Sequence, residues 1–341
     1  HNETSTGVTS DIAAVRRAID SAGHPALLLV DTISSLGSID YRHDDWGVDV
    51  TVAGSQKGLM LPPGLSFNAV SEKARAAAKN ARLPRSYWDW TEMLEHNRSG
   101  YFPYTPATNL LYGLAEAIDM LLDEGLENVF ARHARHAEAT RAAVRAWGLE
   151  ILCRNPAEYS DSLTAVLMPD GHDADALRAL ILEKFDMSLG TGLSKLKGRV
   201  FRIGHLGDFN DLTLMGALAG VEMGLALAGV PHRAGGVQAA MEFFAAHPQQ
   251  PDRRDHDQGA RPQEDQDDTA QRAQVQGFGR RFCPDRPQGP VFQVILRFPA
   301  EHPYRAEFQE SGRCGREGAS PEQDGHRHDG RACHQVRPVA A

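Results

Sequence analysis

Short apolar runs alternating with helix-like segments constrain the fold of this chain more than any other feature. Residues 27–30 form a continuous apolar run that ends at Asp31, and residues 48–53 form a similar segment. Runs of this kind are typical of strands buried on both faces of a parallel sheet. Residues 64–70 predict a third strand after a Pro-Pro-Gly turn, and helices are predicted before the first strand and after the third. This order indicates an α/β fold with a mostly parallel sheet.

The 341 residues are enough for about two domains. We expect the larger domain over residues 1–125 and a smaller α+β domain over residues 126–247. Apolar spacing and capping residues define the later elements. Helices are predicted at 108–122, 127–147, 173–185, 211–227 and 236–246, and strands at 148–153, 163–168 and 199–203.

The composition changes abruptly after residue 247. Segment 248–341 contains no lysine, holds three of the four cysteines and is rich in Arg, Gln, Asp, Gly, Pro and His. Only residues 291–298 resemble a strand, so little apolar area offsets an ordering cost of about 1–2 kcal/mol per residue, and we expect disorder. We interpret the segment as a frame-shifted reading of GC-rich coding sequence. The rival interpretation is a genuine disordered or metal-binding extension, although the spacing of its clustered ligands fits no zinc pattern: His326, His328, Cys333 and His334.

Charge and hydropathy exclude several classes of protein. A net charge of -9 lacks the positive field that a nucleic acid or an anionic membrane requires. No apolar run reaches the length of about 20 residues that crosses a bilayer, and the first residues lack an export signal. The cysteines form neither a C-x-x-C pair nor a disulfide framework, which agrees with a cytoplasmic protein.

Asp31 and Lys57 are the first two candidates for chemistry. An aspartate at the carboxyl end of a buried strand stands where open α/β sheets bind ligands, and it can pair with a protonated pyridine nitrogen. Taken alone, it is more often a strand-end cap. Lys57 follows the next strand in Ser-Gln-Lys-Gly, where desolvation would let it form a Schiff base with an aldehyde. A lone lysine there is by default solvated, but Asp31 upstream favours the chemical interpretation.

Arg202 is the third candidate. It lies among apolar residues and is followed by glycines in Val-Phe-Arg-Ile-Gly-His-Leu-Gly. Its planar fork matches a carboxylate with two parallel hydrogen bonds, as needed to bind an amino acid. Without the other two candidates, an edge-strand arginine with its head in water would be the preferred interpretation.

Several motifs in the right order resemble the class V pyridoxal 5′-phosphate-dependent aminotransferases of fold type I. The resemblance covers residues 1 to about 248, and its strongest parts are 1–8, 30–35, 54–58, 101–106 and 200–207. It implies a partial fold type I large domain followed by a smaller α+β domain. The chain is most similar to members that transfer an amino group from L-serine to glyoxylate, giving hydroxypyruvate and glycine.

The resemblance also implies roles for individual residues. Lys57 would bind pyridoxal 5′-phosphate covalently and move a proton, while Asp31, Thr4 and Gln56 would contact the ring nitrogen, the phenolic oxygen and the phosphate. Arg202 would hold the substrate carboxylate. In a homodimer or higher oligomer, segment 101–106 would reach the cofactor phosphate of the neighbouring subunit. The candidates for that contact are Tyr101, Tyr104 and Thr105.

The family's Gly-rich phosphate loop and ring-stacking aromatic residue both precede His1 by this resemblance. We therefore expect the 341-residue chain alone to bind cofactor poorly. Two alternatives remain: L-alanine as the amino donor, and an inactive fragment that serves only as a subunit partner. A cysteine desulfurase is disfavoured because Gln56 stands where those enzymes place histidine, and Cys153 ends an apolar strand. His133 and His136 are interpreted as a solvated helix face, and we assign no metal.

Overall fold

The computed structural model describes residues 1–248. The strands in this part are β1 (Asn2–Glu3), β2 (Val8–Thr9), β3 (Leu29–Asp31), β4 (Val50–Gly54), β5 (Ser66–Val70), β6 (Glu150–Ile151), β7 (Leu163–Leu167), β8 (Gly190–Thr191) and β9 (Val200–Gly204). The α-helices are α1 (Ile12–Ser21), α2 (Glu72–Ala78), α3 (Trp90–Arg98), α4 (Thr108–Glu124), α5 (Leu126–Trp147), α6 (Ala174–Phe185), α7 (Asp211–Leu227) and α8 (Gly236–Ala246).

The first sheet has the order β3-β4-β5 and positions the candidate lysine and aspartate. Strands β3 and β4 are parallel, with Asp31 opposite Val52, and β5 is antiparallel to β4. Val30 is buried in a small core with Ile12 of α1. Leu29 points to the other side and is 61% exposed. The prediction that this strand is buried on both faces is therefore wrong, because α1 covers one face and no element in residues 1–248 covers Leu29.

The second sheet has the order β6-β7-β9-β8 and is antiparallel throughout. Arg202 lies in the middle of β9, paired with Ala165 on one side and Gly190 on the other. Helices α5 to α8 supply most of the core beside this sheet. Its fully buried side chains include Val144, Leu177, Ile181, Phe201, Ile203, Leu214, Leu218 and Leu225.

Capping residues explain why the predicted helices begin where they do. The side chains of Asp11, Ser71, Asp173 and Asn210 each accept a hydrogen bond from a main-chain N–H in the first turn of a helix. Helix α5 ends at Trp147 and is capped by Gly148, whose φ of 77° is left-handed. The predicted bounds of α7 and α8 are confirmed, and the other predicted helices agree within a few residues.

The burial of Cys153, His133 and His136 can be compared with the predictions. Cys153 is buried, as its place at the end of an apolar strand indicated. The prediction of a solvated face for His133 and His136 is wrong, because both side chains are completely buried. They lie on the side of α5 that packs against α7, α8 and the loop after β9, where each ring has a polar partner.

No helix within residues 1–248 is both long and apolar enough to span a bilayer. The predicted strand at 291–298 and the His/Cys cluster near residue 330 lie outside the described residues. The division between two domains at residue 125 stays a prediction.

Candidate active site

The loop that carries Lys57 is fixed by the side chain of Ser55. Its hydroxyl donates to the Pro62 carbonyl at 2.8 Å and accepts from the Leu65 N–H at 3.2 Å. Within this frame the Met60 N–H donates to the Lys57 carbonyl at 2.9 Å, and Met60 has a left-handed φ of 63°. Lys57 is half-buried and begins this tight turn. The polypeptide therefore delivers the lysine on a defined turn rather than on an open loop.

Gly58 joins this turn to the loop that follows Asp31. A Cβ at Gly58 would lie 2.2 Å from the Leu36 carbonyl oxygen and 2.6 Å from the Ser38 hydroxyl. No side chain fits at such distances, so only glycine permits this approach. The contact holds the chain after β3 against the chain after β4. Since these strands are parallel and adjacent, Asp31 and Lys57 follow the same edge of the sheet.

Asp31 is exposed at this edge. Its Oδ1 accepts a hydrogen bond of 2.8 Å from the Ile33 N–H, as in a strand-end cap. Its Oδ2 accepts no hydrogen bond from residues 1–248. The carboxylate is thus held in orientation while one oxygen stays available to a ligand.

Ser34 connects three segments of the site and was missed in the sequence. Its hydroxyl accepts from the Thr4 hydroxyl at 3.0 Å and from the Asn2 amide at 3.0 Å. Its carbonyl accepts a hydrogen bond of 2.7 Å from the hydroxyl of Ser162, the residue that precedes β7 of the second sheet. The Thr4 proton is therefore used by Ser34, and the Thr4 oxygen remains as an acceptor. Nothing in the local sequence distinguishes Ser34 from the neighbouring Ser35, so its role could not have been predicted.

Arg202 reaches from the second sheet to the same place. Its Nη1 donates to the Thr4 carbonyl at 2.9 Å and its Nε to the Thr191 carbonyl at 2.8 Å. Burial, with a smaller contribution from Arg178, lowers the pKa of Arg202. Its Nη2 has no partner within residues 1–248. Two main-chain carbonyls thus hold the guanidinium, and one nitrogen is left for a carboxylate; the predicted pair of parallel hydrogen bonds stays a prediction.

Gln56 folds back on its own strand, and the tyrosine segment contacts Asn97 and Tyr87. The Gln56 side chain is exposed and folds back over Gly54, where an added Cβ would lie 2.8 Å from its Oε1. The Tyr101 carbonyl accepts from Asn97, and Tyr104 stacks on Tyr87 with ring centroids 4.9 Å apart. Thr105 is exposed. None of these contacts involves Asp31 or Lys57, and the phosphate-binding roles of Gln56 and the tyrosine segment stay predictions.

The donor set fits pyridoxal 5′-phosphate. Lys57 offers a half-buried amine, and no hydrogen bond or ion pair within residues 1–248 occupies it. Asp31 offers a carboxylate oxygen to a protonated ring nitrogen, and Thr4 offers an acceptor to a phenol. Arg202 supplies a fixed positive charge for a substrate carboxylate. These groups come from different segments, yet Gly58, Ser34 and the Thr4 carbonyl bring them to one edge.

Known proteins match the same part of the chain. The family described as aminotransferase class-V matches residues 1–200. A serine–glyoxylate aminotransferase of Methylorubrum extorquens is 53% identical over 73% of this chain and 63% of that protein. An L-aspartate–glyoxylate aminotransferase of Paracoccus denitrificans is 53% identical over 72% of this chain and 62% of that protein. The crystal structure of pyridoxamine–pyruvate aminotransferase from Mesorhizobium loti aligns with a TM-score of 0.67 at 34% identity, over 72% of this chain and 64% of that one.

The chain spans about three-fifths of the length of these curated relatives, 63% and 62%. The match to the solved structure confirms the predicted fold class, a partial fold type I aminotransferase with α/β and α+β parts. Motifs, fold and similarity agree over the same residues, and the chain belongs to the class V aminotransferase family.

Proposed function

We propose that this chain carries the catalytic lysine of a pyridoxal 5′-phosphate-dependent aminotransferase that moves the amino group of L-serine to glyoxylate. The products are hydroxypyruvate and glycine. The observation that carries the proposal is the approach of Gly58 to residues 36–38, which places Lys57 and Asp31 at one edge of the sheet. At this edge the Lys57 amine would meet the aldehyde of a pyridoxal ring, and the Asp31 carboxylate would meet its ring nitrogen.

Each residue has a defined task in this proposal. When bound, the cofactor supplies an aldehyde that captures the amino donor and a ring that accepts the electron pair freed at Cα. The Lys57 Nζ would hold the cofactor through its aldehyde and, once freed by the amino donor, would accept the proton released at Cα. Asp31 keeps the ring nitrogen protonated, and Arg202 orients the donor's carboxylate. Thr4 would contact the phenolic oxygen of the cofactor, and Gln56 would contact its phosphate.

Replacement of the lysine tests this proposal directly. Lys57→Arg keeps the charge but cannot form a Schiff base, so we expect loss of the covalent cofactor absorbance and a fall in transamination of at least about a hundredfold. The measurement uses protein expressed from the complete gene, with Lys195→Arg on an exposed turn as the matched control. Unchanged absorbance and rate in Lys57→Arg would end the proposal.

The amino donor needs its own experiment. The relative from Methylorubrum extorquens supports serine, whereas an equally similar relative is an L-aspartate–glyoxylate aminotransferase. A site that hydrogen-bonds the hydroxyl of serine needs different polar groups from one that binds the second carboxylate of aspartate. We therefore expect the two amino donors to differ by several kcal/mol in transition-state binding. Stopped-flow measurement of the amino-donor half-reaction with serine, aspartate and alanine ranks the three. A faster reaction with aspartate would replace serine in the proposal.

We also propose that the protein is a homodimer. Several large aromatic side chains between α2 and the first half of α4 are exposed, a patch of the kind that marks an interface: Tyr87, Trp88, Tyr101, Tyr104 and Tyr112. A second copy that covers this patch would bring the Tyr101–Thr105 segment to a neighbouring site. Light scattering during size-exclusion chromatography measures the mass, and Trp88→Glu should shift it toward the monomer.

A cytoplasmic location also stays a prediction.

A further inference from the structure

Both main-chain groups of Gly207 are held by two successive residues of α5. The Gly207 N–H donates to His133 Nε2 at 3.0 Å, and the Gly207 carbonyl accepts from Arg132 Nη1 at 2.8 Å. The carboxylate of Glu124 holds the other side of the Arg132 guanidinium at 2.6 and 2.9 Å. All of these groups are buried or nearly so. Arg132 Nη1 also donates to the Phe209 carbonyl at 3.2 Å, but within the loop after β9 Gly207 is the residue whose N–H and carbonyl are both held by α5.

The hydrogen bonds of His133 define its protonation. Its Nδ1 lies 2.7 Å from the Val129 carbonyl, which can only accept, so Nδ1 carries the proton. Its Nε2 then has a free lone pair and accepts from Gly207. Burial is the main cause that lowers the pKa of His133 to about 4, which agrees with a neutral ring. In this neutral tautomer the ring donates to the Val129 carbonyl and accepts from the Gly207 N–H.

Gly207 lies next to the turn that begins at Lys57. A Cβ on Gly207 would lie 3.5 Å from Met60 Cγ and 3.9 Å from the Lys57 carbonyl oxygen. Gly207 is in the same loop that leaves β9 after Arg202, and its φ of 86° is left-handed. Gly207 therefore lies between the strand that carries the arginine and the turn that carries the lysine.

We propose that His133 is a positioning residue, which acts through Gly207 to hold the Lys57 turn in place relative to Arg202. His133 is not a catalytic residue, because it contacts the Gly207 main chain and not a reacting group. The proposal rests on the proposed role of Lys57 in transamination. It assigns a task to a buried histidine that the catalytic mechanism does not use.

The test compares variants of two buried histidines on the same helix. His133→Leu removes the acceptor for Gly207, whereas His133→Gln keeps an oxygen near the place of Nε2. His136→Leu is the matched control, because His136 is equally buried but its Nε2 lies 3.0 Å from Asp211 of α7. His133→Asn, which is too short to reach Gly207, replaces His133→Leu if that variant does not fold. All are made in protein expressed from the complete gene.

Hydrogen exchange of the peptide covering residues 55–61, without added cofactor, is the primary measurement. We expect His133→Leu to raise its exchange about three- to tenfold, as loss of one neutral hydrogen bond would, and His133→Gln to restore it. His136→Leu should lower thermal stability without raising exchange in this peptide selectively. In the enzyme assay, His133→Leu should lower kcat for serine more than it raises KM, since the lysine rather than the carboxylate site is displaced.

Two results would overturn the positioning role. One is unchanged exchange of residues 55–61 in His133→Leu, and the other is an equal rise in His136→Leu. If the wild-type protein catalyses no transamination but the peptide responds in the expected order, the proposed function fails and the link from His133 to the Lys57 turn stands. The exchange measurement therefore separates the two proposals.

Discussion

At the scale of single residues, the missing side chain of Gly58 allows two loops of the site to meet. We predict that Gly58→Ala lowers the free energy of unfolding by about 1–3 kcal/mol, because the added Cβ must displace the Leu36 carbonyl, which is main chain. Cofactor affinity should fall as well, since the Lys57 turn moves with it. Urea unfolding and a cofactor titration measure the two effects.

A second glycine provides the control for this prediction. Gly216 lies on the exposed side of α7, and a Cβ there meets nothing within 4 Å. Gly216→Ala should therefore stabilise the protein by about 0.5–1 kcal/mol through helix propensity. A Gly58→Ala variant as stable as Gly216→Ala, with unchanged cofactor affinity, would contradict the steric account of the site.

The sequence predicted only part of the candidate site. Asp31 and Lys57 were identifiable because each follows an apolar strand, and their strands are now seen to be adjacent and parallel. Ser34 and Gly207 were not, because their importance comes from contacts with residues distant in sequence. His133 was assigned to solvent because a polar helix and a buried polar cluster have similar composition.

At the scale of elements, helices were easier to predict than strand pairing. Capping residues and apolar spacing are local, so α6, α7 and α8 could be placed from sequence. Helix α3 was missed because it buries no residue and therefore shows no apolar stripe. The antiparallel direction of β5 was also not predicted, since the apolar pattern of a strand is the same in either direction.

The cap of α7 can be tested by itself. The Asn210 side chain accepts from the Thr213 N–H at 2.9 Å. We predict that Asn210→Ala lowers the free energy of unfolding by about 0.5–2 kcal/mol, because the first turn loses that acceptor. Gln238→Ala on the exposed side of α8 should change it by less than about 0.5 kcal/mol. Equal effects of the two substitutions in urea unfolding would show that the cap is unimportant.

At the scale of the whole molecule, buried histidines make stability depend on pH. Burial lowers the pKa of His205 from 6.5 to about 3, with Arg141 adding to the effect, and lowers that of His133 to about 4. In the unfolded chain each ring binds its proton near pH 6.5, so below that pH the unfolded state holds more protons. This contribution to stability is complete above pH 6.5 and is lost as the pH falls toward the folded-state values.

We predict a loss of about 1.4 kcal/mol per pH unit for each such histidine below about pH 6. Urea unfolding of the wild-type protein and of His205→Gln between about pH 7.5 and about pH 5 measures the slope. Glutamine keeps a polar group for Thr164, the partner of His205 Nε2 at 3.1 Å, but does not titrate. The variant should show the shallower slope, and identical slopes would mean that His205 is not buried in the neutral form.

The exposed Leu29 on β3 has a consequence for handling the protein. Strand β3 is at the end of its sheet, and within residues 1–248 no strand pairs with its outer edge. An apolar side chain beside an open edge is a template for addition of another chain, so concentrated preparations of the 341-residue chain by itself should aggregate through β3. Leu29→Lys should suppress this, whereas Leu212→Lys, at a still more exposed position on a helix, should not. Turbidity of matched samples over time tells the two apart, and the lysine variant is the better starting material for crystallisation.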